Sequence, residues 1–229
     1  MFAFLFTTCL LGADPAPQSA KDAFHPLNPL IGAWKGTGYP DGTRTERQKG
    51  FWAETLTWEW RFDQSDVRLT AAIDKGKHFT RWDLRYLPGK KVYQLTAVTP
   101  DRETLLFTGV LGSGKQKEQV LTLERTDSAR KEDQRLVVTL LHHNRFLYRW
   151  ETRPAGAGAF TRKYQVGATK EGEPFADVPK GPECVVSGGK GTIAVSHKGK
   201  TYHVCCSGCR DEFRADPEKY VREYEAKKK

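Results

Sequence analysis

The sequence predicts a mainly β chain: an antiparallel up-and-down barrel followed by a small α+β, treble-clef-like cysteine module. Three observations predict it. Apolar residues recur with period two from Ile31 to Val166, the signature of strands with one buried face. Turn-forming clusters punctuate that stretch at short intervals. Finally, Trp34, Trp52, Trp58, Trp60, Trp82 and Trp150 all precede a cluster formed by Cys184, Cys205, Cys206 and Cys209, and 174 residues without a thiol separate Cys9 from Cys184. A large aromatic core and a small stapled unit stabilise themselves by different means.

Composition bounds the rest. At 229 residues the chain has room for one or two domains. Its 38% hydrophobic and 11% aromatic content can bury a core, which excludes a disordered chain. No apolar run reaches the ~18 residues that span a bilayer, so the mature chain is expected to have no integral membrane helix. Lys+Arg total 37 against 28 Asp+Glu, a net charge of +9. That charge favours anionic surroundings, but the one strictly basic run is Lys227-Lys228-Lys229. Nucleic acid is not expected as a partner.

The organisation expected from these shifts is a signal peptide over 1–20, a barrel over 24–168, a linker over 169–180 and a cysteine module over 181–229. Phe2 to Gly12 is apolar and of the length of a signal-peptide core. It lacks a basic flank, and a buried N-terminal strand is the alternative. Ala13 to about Ala23 reads as a mobile leader, and export to the periplasm or the extracellular space follows. Cys9, preceded by Thr8, has no lipoprotein context.

Within the barrel, Leu56, Trp58, Trp60 and Phe62 share one strand face, opposite Thr57, Glu59 and Arg61. Val67-Leu69-Ala71-Ile73, Thr80-Trp82-Leu84-Tyr86, Leu136-Val138-Leu140 and Phe146-Tyr148-Trp150 repeat the alternation. Turns fall at Pro40-Asp41-Gly42, Asp74-Lys75-Gly76, Pro88-Gly89-Lys90, Gly112-Ser113-Gly114 and His143-Asn144. About ten strands with no helical stretch between them imply a meander, and the lack of edge protection favours closure.

Leu30-Ile31-Gly32-Ala33-Trp34, with Gly36 and Gly38, resembles the opening strand of lipocalin-like barrels. The stretch from about 27 to 168 is similar to an uncharacterised lipocalin-like family of exported bacterial proteins, which implies the fold and leaves the activity open. A ligand inside the barrel, a small hydrophobic molecule or haem, is the alternative role. His142 lies in phase with the apolar face of its strand, His143 faces the other way and His78 begins another strand. Ordinary hydrogen bonding near strand ends accounts for such histidines better. Gly109 to Gln116 lacks the final Ser or Thr of a phosphate-binding loop and reads as a hairpin turn. No catalytic residues stand out at motif spacing, so the chain is not read as an enzyme.

Gly167 to Glu183 carries three Gly and three Pro and reads as a connection. Beyond it, Thr192–Ser196 and Thr201–Val204 form a hairpin turned at Lys198-Gly199-Lys200, and Asp216-Pro217 opens a helix over about Pro217 to Ala226. Cys205 and Cys209 are four apart, a spacing that puts both on one face of a helical turn. Cys184, twenty-one positions upstream, returns through the hairpin as a third sulfur. Thiolates in this pattern hold zinc or copper(I), and bound metal would add folding free energy to so small a unit. Cys206 or His203 is available to complete the shell. Two disulfides are the competing reading, disfavoured by the adjacency of Cys205, Cys206 and Cys209.

Cys184-Val185-Val186-Ser187-Gly188, the Gly199 to Cys205 strand, Cys209, Phe213, Asp216-Pro217 and Tyr220 together resemble a YHS or TRASH metal-binding domain over roughly 181–225. That resemblance implies heavy-metal handling. Ser187 stands where a closed treble clef has a second Cys, and Val185 replaces a usual Pro. The function expected is an exported, non-catalytic protein that captures, delivers or senses zinc or copper through Cys184, Cys205 and Cys209, with Cys206 as a further candidate.

Overall fold

A computed structural model describes residues 19–63, 66–116, 118–173 and 181–228. Residues 1–18 of the expected signal peptide, Cys9 among them, and most of the 169–180 linker lie outside the described residues. Ten strands form a closed antiparallel barrel, each paired with its neighbours in sequence and β10 closing on β1. They are β1 (Gly32–Pro40), β2 (Trp52–Asp63), β3 (Asp66–Asp74), β4 (Arg81–Leu87), β5 (Val92–Val98), β6 (Thr104–Ser113), β7 (Gln119–Asp127), β8 (Glu132–His142), β9 (Arg145–Pro154) and β10 (Thr161–Lys170). Closure pairs every edge, so no unpaired row of N–H and C=O groups is left in the sheet.

The alternation read from sequence fills the interior. Leu56, Trp58 and Trp60 of β2, Leu69, Ala71 and Ile73 of β3, and Trp82, Leu84 and Tyr86 of β4 are buried, as are Leu136, Val138, Leu140, Phe146 and Tyr148. Their rings pack edge to face: Trp82 lies 4.9 Å from Tyr148 and 5.8 Å from Trp58. The indole N–H groups of Trp58 and Trp82 are buried there without a hydrogen-bond partner. The period breaks at His142, because β8 shifts register between Leu140 and His142. That irregularity turns His142 out to solvent, so it does not face the interior as its phase implied.

Three helical pieces correct the expectation of a leader followed by strands alone. Ser19 caps α1 (Ala20–Phe24) by accepting from the Asp22 N–H. A 3₁₀ segment over His25–Leu30 follows. Ala23, Phe24, Leu27 and Leu30 are buried, and Phe24 packs edge-on against Trp60 at 5.7 Å. The segment beginning at Ser19 is therefore a plug over one end of the barrel, and its last residues are core. At the other end, α2 (Arg44–Lys49) follows the predicted turn at Pro40-Asp41-Gly42. Thr43 and Glu46 make a full capping box, a helix-start signal within the stretch expected to be all strand. Gly109 also lies inside β6, with the turn beginning only at Gly114.

The cysteine module is built from β11 (Ile193–His197), β12 (Lys200–Val204), α3 (Ser207–Ala215) and α4 (Pro217–Ala226). Lys198 and Gly199, the hairpin's central residues, both have positive φ, 46° and 74°, as a two-residue turn matching strand twist requires. α4 starts where its sequence signal placed it, with the Asp216 side chain accepting from the Lys219 N–H. Val195, Tyr202, Val204, Phe213 and Tyr220 are buried and join the barrel residues in one continuous apolar cluster. The module sits on the plugged end. The Asn28 side-chain amide donates to the Ser187 carbonyl at 3.1 Å while its carbonyl accepts from the Trp60 indole at 3.3 Å. Ser207 donates to Glu59 at 2.9 Å.

Candidate metal centre

Three segments converge on the thiols. Cys184 follows the linker and is held against β12 by a parallel bridge to His203, with the Val185 N–H donating to the His203 carbonyl at 2.9 Å. Cys205 follows the last residue of β12, and Cys209 lies in the first turn of α3. The Sγ atoms of Cys184, Cys205 and Cys209 lie within 4.8 Å of one another, and Cys205 and Cys209 are 3.5 Å apart. Tetrahedral thiolates at about 2.3 Å from zinc stand about 3.8 Å apart, so the donor set fits one soft ion.

The pair is brought together differently from the expected helical turn. Cys206 is the N-cap of α3 with extended backbone (φ −156°, ψ 175°). Cys205 therefore precedes the helix, and no shared helical face links it to Cys209. Cys206 Sγ lies 3.9 Å from Cys205 Sγ but outside the group of three. His203 faces another cleft, beside Glu183, Tyr202 and Lys228.

Ser187, noted in the sequence as a missing cysteine, is instead a wall of the site. It is buried, its N–H donates to Cys184 Sγ at 3.4 Å, and its hydroxyl lies 3.3 Å from Cys205 Sγ. The Cys184-x-x-Ser187 spacing is the sequence signal for this contact.

All four thiols are free, and they are buried. Hydrogen bonds from Cys205 and then Cys209 hold the Cys184 thiol well below its ordinary range. Cys206 is lowered in the same way, by Cys205 and then Cys209. Burial pushes Cys209 up, and donation to Cys184 pushes Cys205 up. The hydrogen bonds among the thiols thus lower two of them, Cys184 and Cys206, and raise Cys205. Cys205, the most open at 9% exposure, borders a cleft of about 470 Å³ between plug, barrel end and module, whose walls include His25, His143, Lys170 and Glu173.

A closed antiparallel barrel carrying a docked three-thiol module defines a two-part β protein with a soft-metal type of donor set. Residues 190–224 match the YHS domain, a span containing Cys205, Cys206 and Cys209 and beginning six residues after Cys184. No curated protein matches the chain. Among solved structures, "Structure of EF1p2_mFAP2b bound to DFHBI" aligns over 65% of this chain and 99% of that one, at 11% identity and a TM-score of 0.26. That likeness is too weak to bear on function.

Proposed function

We propose that this is an exported, non-catalytic protein that takes up a soft metal ion, zinc or copper(I), at Cys184, Cys205 and Cys209. The observation that carries the reading is three thiols from separate segments gathered within 4.8 Å, in a module that matches the YHS domain over 190–224. Thiolate ligands select such metals over hard cations. Three sulfurs leave one position for an exchangeable donor, which suits capture and delivery better than a closed structural site. Ser187 touches Cys184 and Cys205, and Cys206 lies 3.9 Å from Cys205, so either is at hand to take that position. The cleft beside Cys205 supplies a route for an ion or its carrier, and the barrel serves as the platform on which the module docks.

Metal analysis of the purified full chain, reduced and then loaded with zinc or copper(I), tests the reading. About one equivalent retained against dialysis is expected. Retention below a tenth of an equivalent for both ions, or equal retention in a Cys184→Ser, Cys205→Ser, Cys209→Ser triple variant, would overturn it. Intact mass without reductant separates the disulfide alternative, which requires a loss of about 2 Da per bridge.

A further inference from the structure

The opposite end of the barrel holds a second constellation that the metal reading does not use. Glu54 is only 3% exposed, yet it is a carboxylate in an aromatic interior. Tyr148 donates to its Oε1 at 2.6 Å and the Trp52 indole to its Oε2 at 2.8 Å. Both neighbours are neutral donors, and among the described residues Glu54 makes no ion pair. Burial raises the Glu54 pKa, as it does for a carboxylate with no opposite charge beside it, and a cation brought there would offset that cost.

Room for this arrangement is built into β1. Gly36 pairs with Glu54 and Gly38 with Trp52 across the sheet. A Cβ at Gly36 would stand 3.0 Å from Glu54 Cγ, and one at Gly38 would fall 2.1 Å from the Trp52 ring. Two strand-interior glycines therefore seat the two side chains, at the usual cost of glycine in a strand.

A cluster of rings adjoins Trp52, one of the two donors to the carboxylate. Tyr164 lies 5.7 Å from Trp52, stacks on His78 at 3.9 Å and is parallel to Trp150 at 6.2 Å. Trp52, His78 and Trp150 are part-exposed, so this ring cluster meets solvent. An ammonium already rests on it: Lys77 Nζ stands 5.1 Å from the Trp52 ring centroid. Ring faces attract cations, and a carboxylate hydrogen-bonded to one of those rings adds a countercharge when it is ionised.

From this geometry we propose that the barrel mouth binds a small organic ammonium ion, with Glu54 as its counter-ion and Trp52, His78, Tyr164 and Trp150 as the surrounding rings. The site is independent of the thiol cluster and stands or falls without it. Its chemistry differs from that of a calyx for apolar ligands, because the recognition element is a seated carboxylate.

Isothermal titration of the full chain with benzylamine, cationic at pH 7, and with neutral benzyl alcohol tests the proposal. Benzylamine is expected to bind at least about tenfold more tightly. Glu54→Gln, which keeps the shape and removes the charge, should abolish that preference. Lys77→Met should leave it intact or increase it, because a competing cation is gone. Equal affinities, no binding of either probe, or a preference that survives Glu54→Gln would overturn the proposal. The comparison of the two probes on the unaltered chain decides the matter even if Glu54→Gln does not fold.

Discussion

Gly208 lies directly against the backbone of Trp60: a Cβ at Gly208 would fall 1.8 Å from the Trp60 carbonyl oxygen. The first turn of α3, which carries Cys209, is thus set on strand β2 with no space for a side chain. Gly208→Ala must push helix and barrel apart. Overpacking of this kind costs about 1–3 kcal/mol. Urea unfolding should show that loss, and hydrogen exchange should show reduced protection over 207–215 with the barrel strands unchanged.

The three clustered thiols should be unequal to the fourth. Cys184→Ser, Cys205→Ser and Cys209→Ser each replace a charged soft donor with a neutral hard one. Each is expected to weaken zinc binding by roughly a hundredfold, about 3 kcal/mol, a fraction of the free energy of a full thiolate site. Cys206→Ser, outside the group of three, should cost less than about tenfold. Ser187→Cys should tighten binding by about tenfold or more by closing a fourth position beside Cys205. Competition against a chromophoric chelator ranks all five.

Metal removal should act locally. The module draws part of its packing from the plug and β2, but an ion held by thiols of three separate segments would tie those segments together only while it is bound. Stripping metal with a chelator under reducing conditions is therefore expected to raise hydrogen exchange over 181–228 and leave the barrel's pattern intact. Equal protection in the two states would show that docking alone holds the module.

His78 sets a pH dependence at the barrel mouth. Burial first, then the Lys77 charge, lowers its pKa from 6.5 to about 4. Folding therefore favours the neutral ring, and the unfolded chain takes up the proton more readily. The resulting stability is fully present above pH 6.5 and is lost as pH falls from there toward 4. Melting temperature should decline over that window in the parent, and His78→Gln should flatten the decline. An unchanged slope in the variant would place the acid sensitivity elsewhere.

The barrel was legible because its cause is local and repeated: an apolar residue at every second position of Leu56–Phe62 or Phe146–Trp150 commits one face to the interior whatever the distant partners are. The module hairpin and α4 were legible for the same reason, since Lys198-Gly199 and Asp216-Pro217 act on their own backbone. Contacts between distant segments were not. Nothing near Ala20 announces that Phe24 will meet Trp60, and nothing near His142 announces the register shift that turns it outward. The thiol spacing pointed to one site, but the extended backbone of Cys206, and not a helical face, aims Cys205 at Cys209. Ser187 looked like an absence until folding placed it against two sulfurs, and Gly36 and Gly38 looked like strand motif until pairing set them over Glu54 and Trp52. Periodicity and turn chemistry are properties of neighbouring residues, so the chain carries them openly. Which side chains share a space depends on closure of the whole sheet and on docking across it, and only the folded chain specifies that.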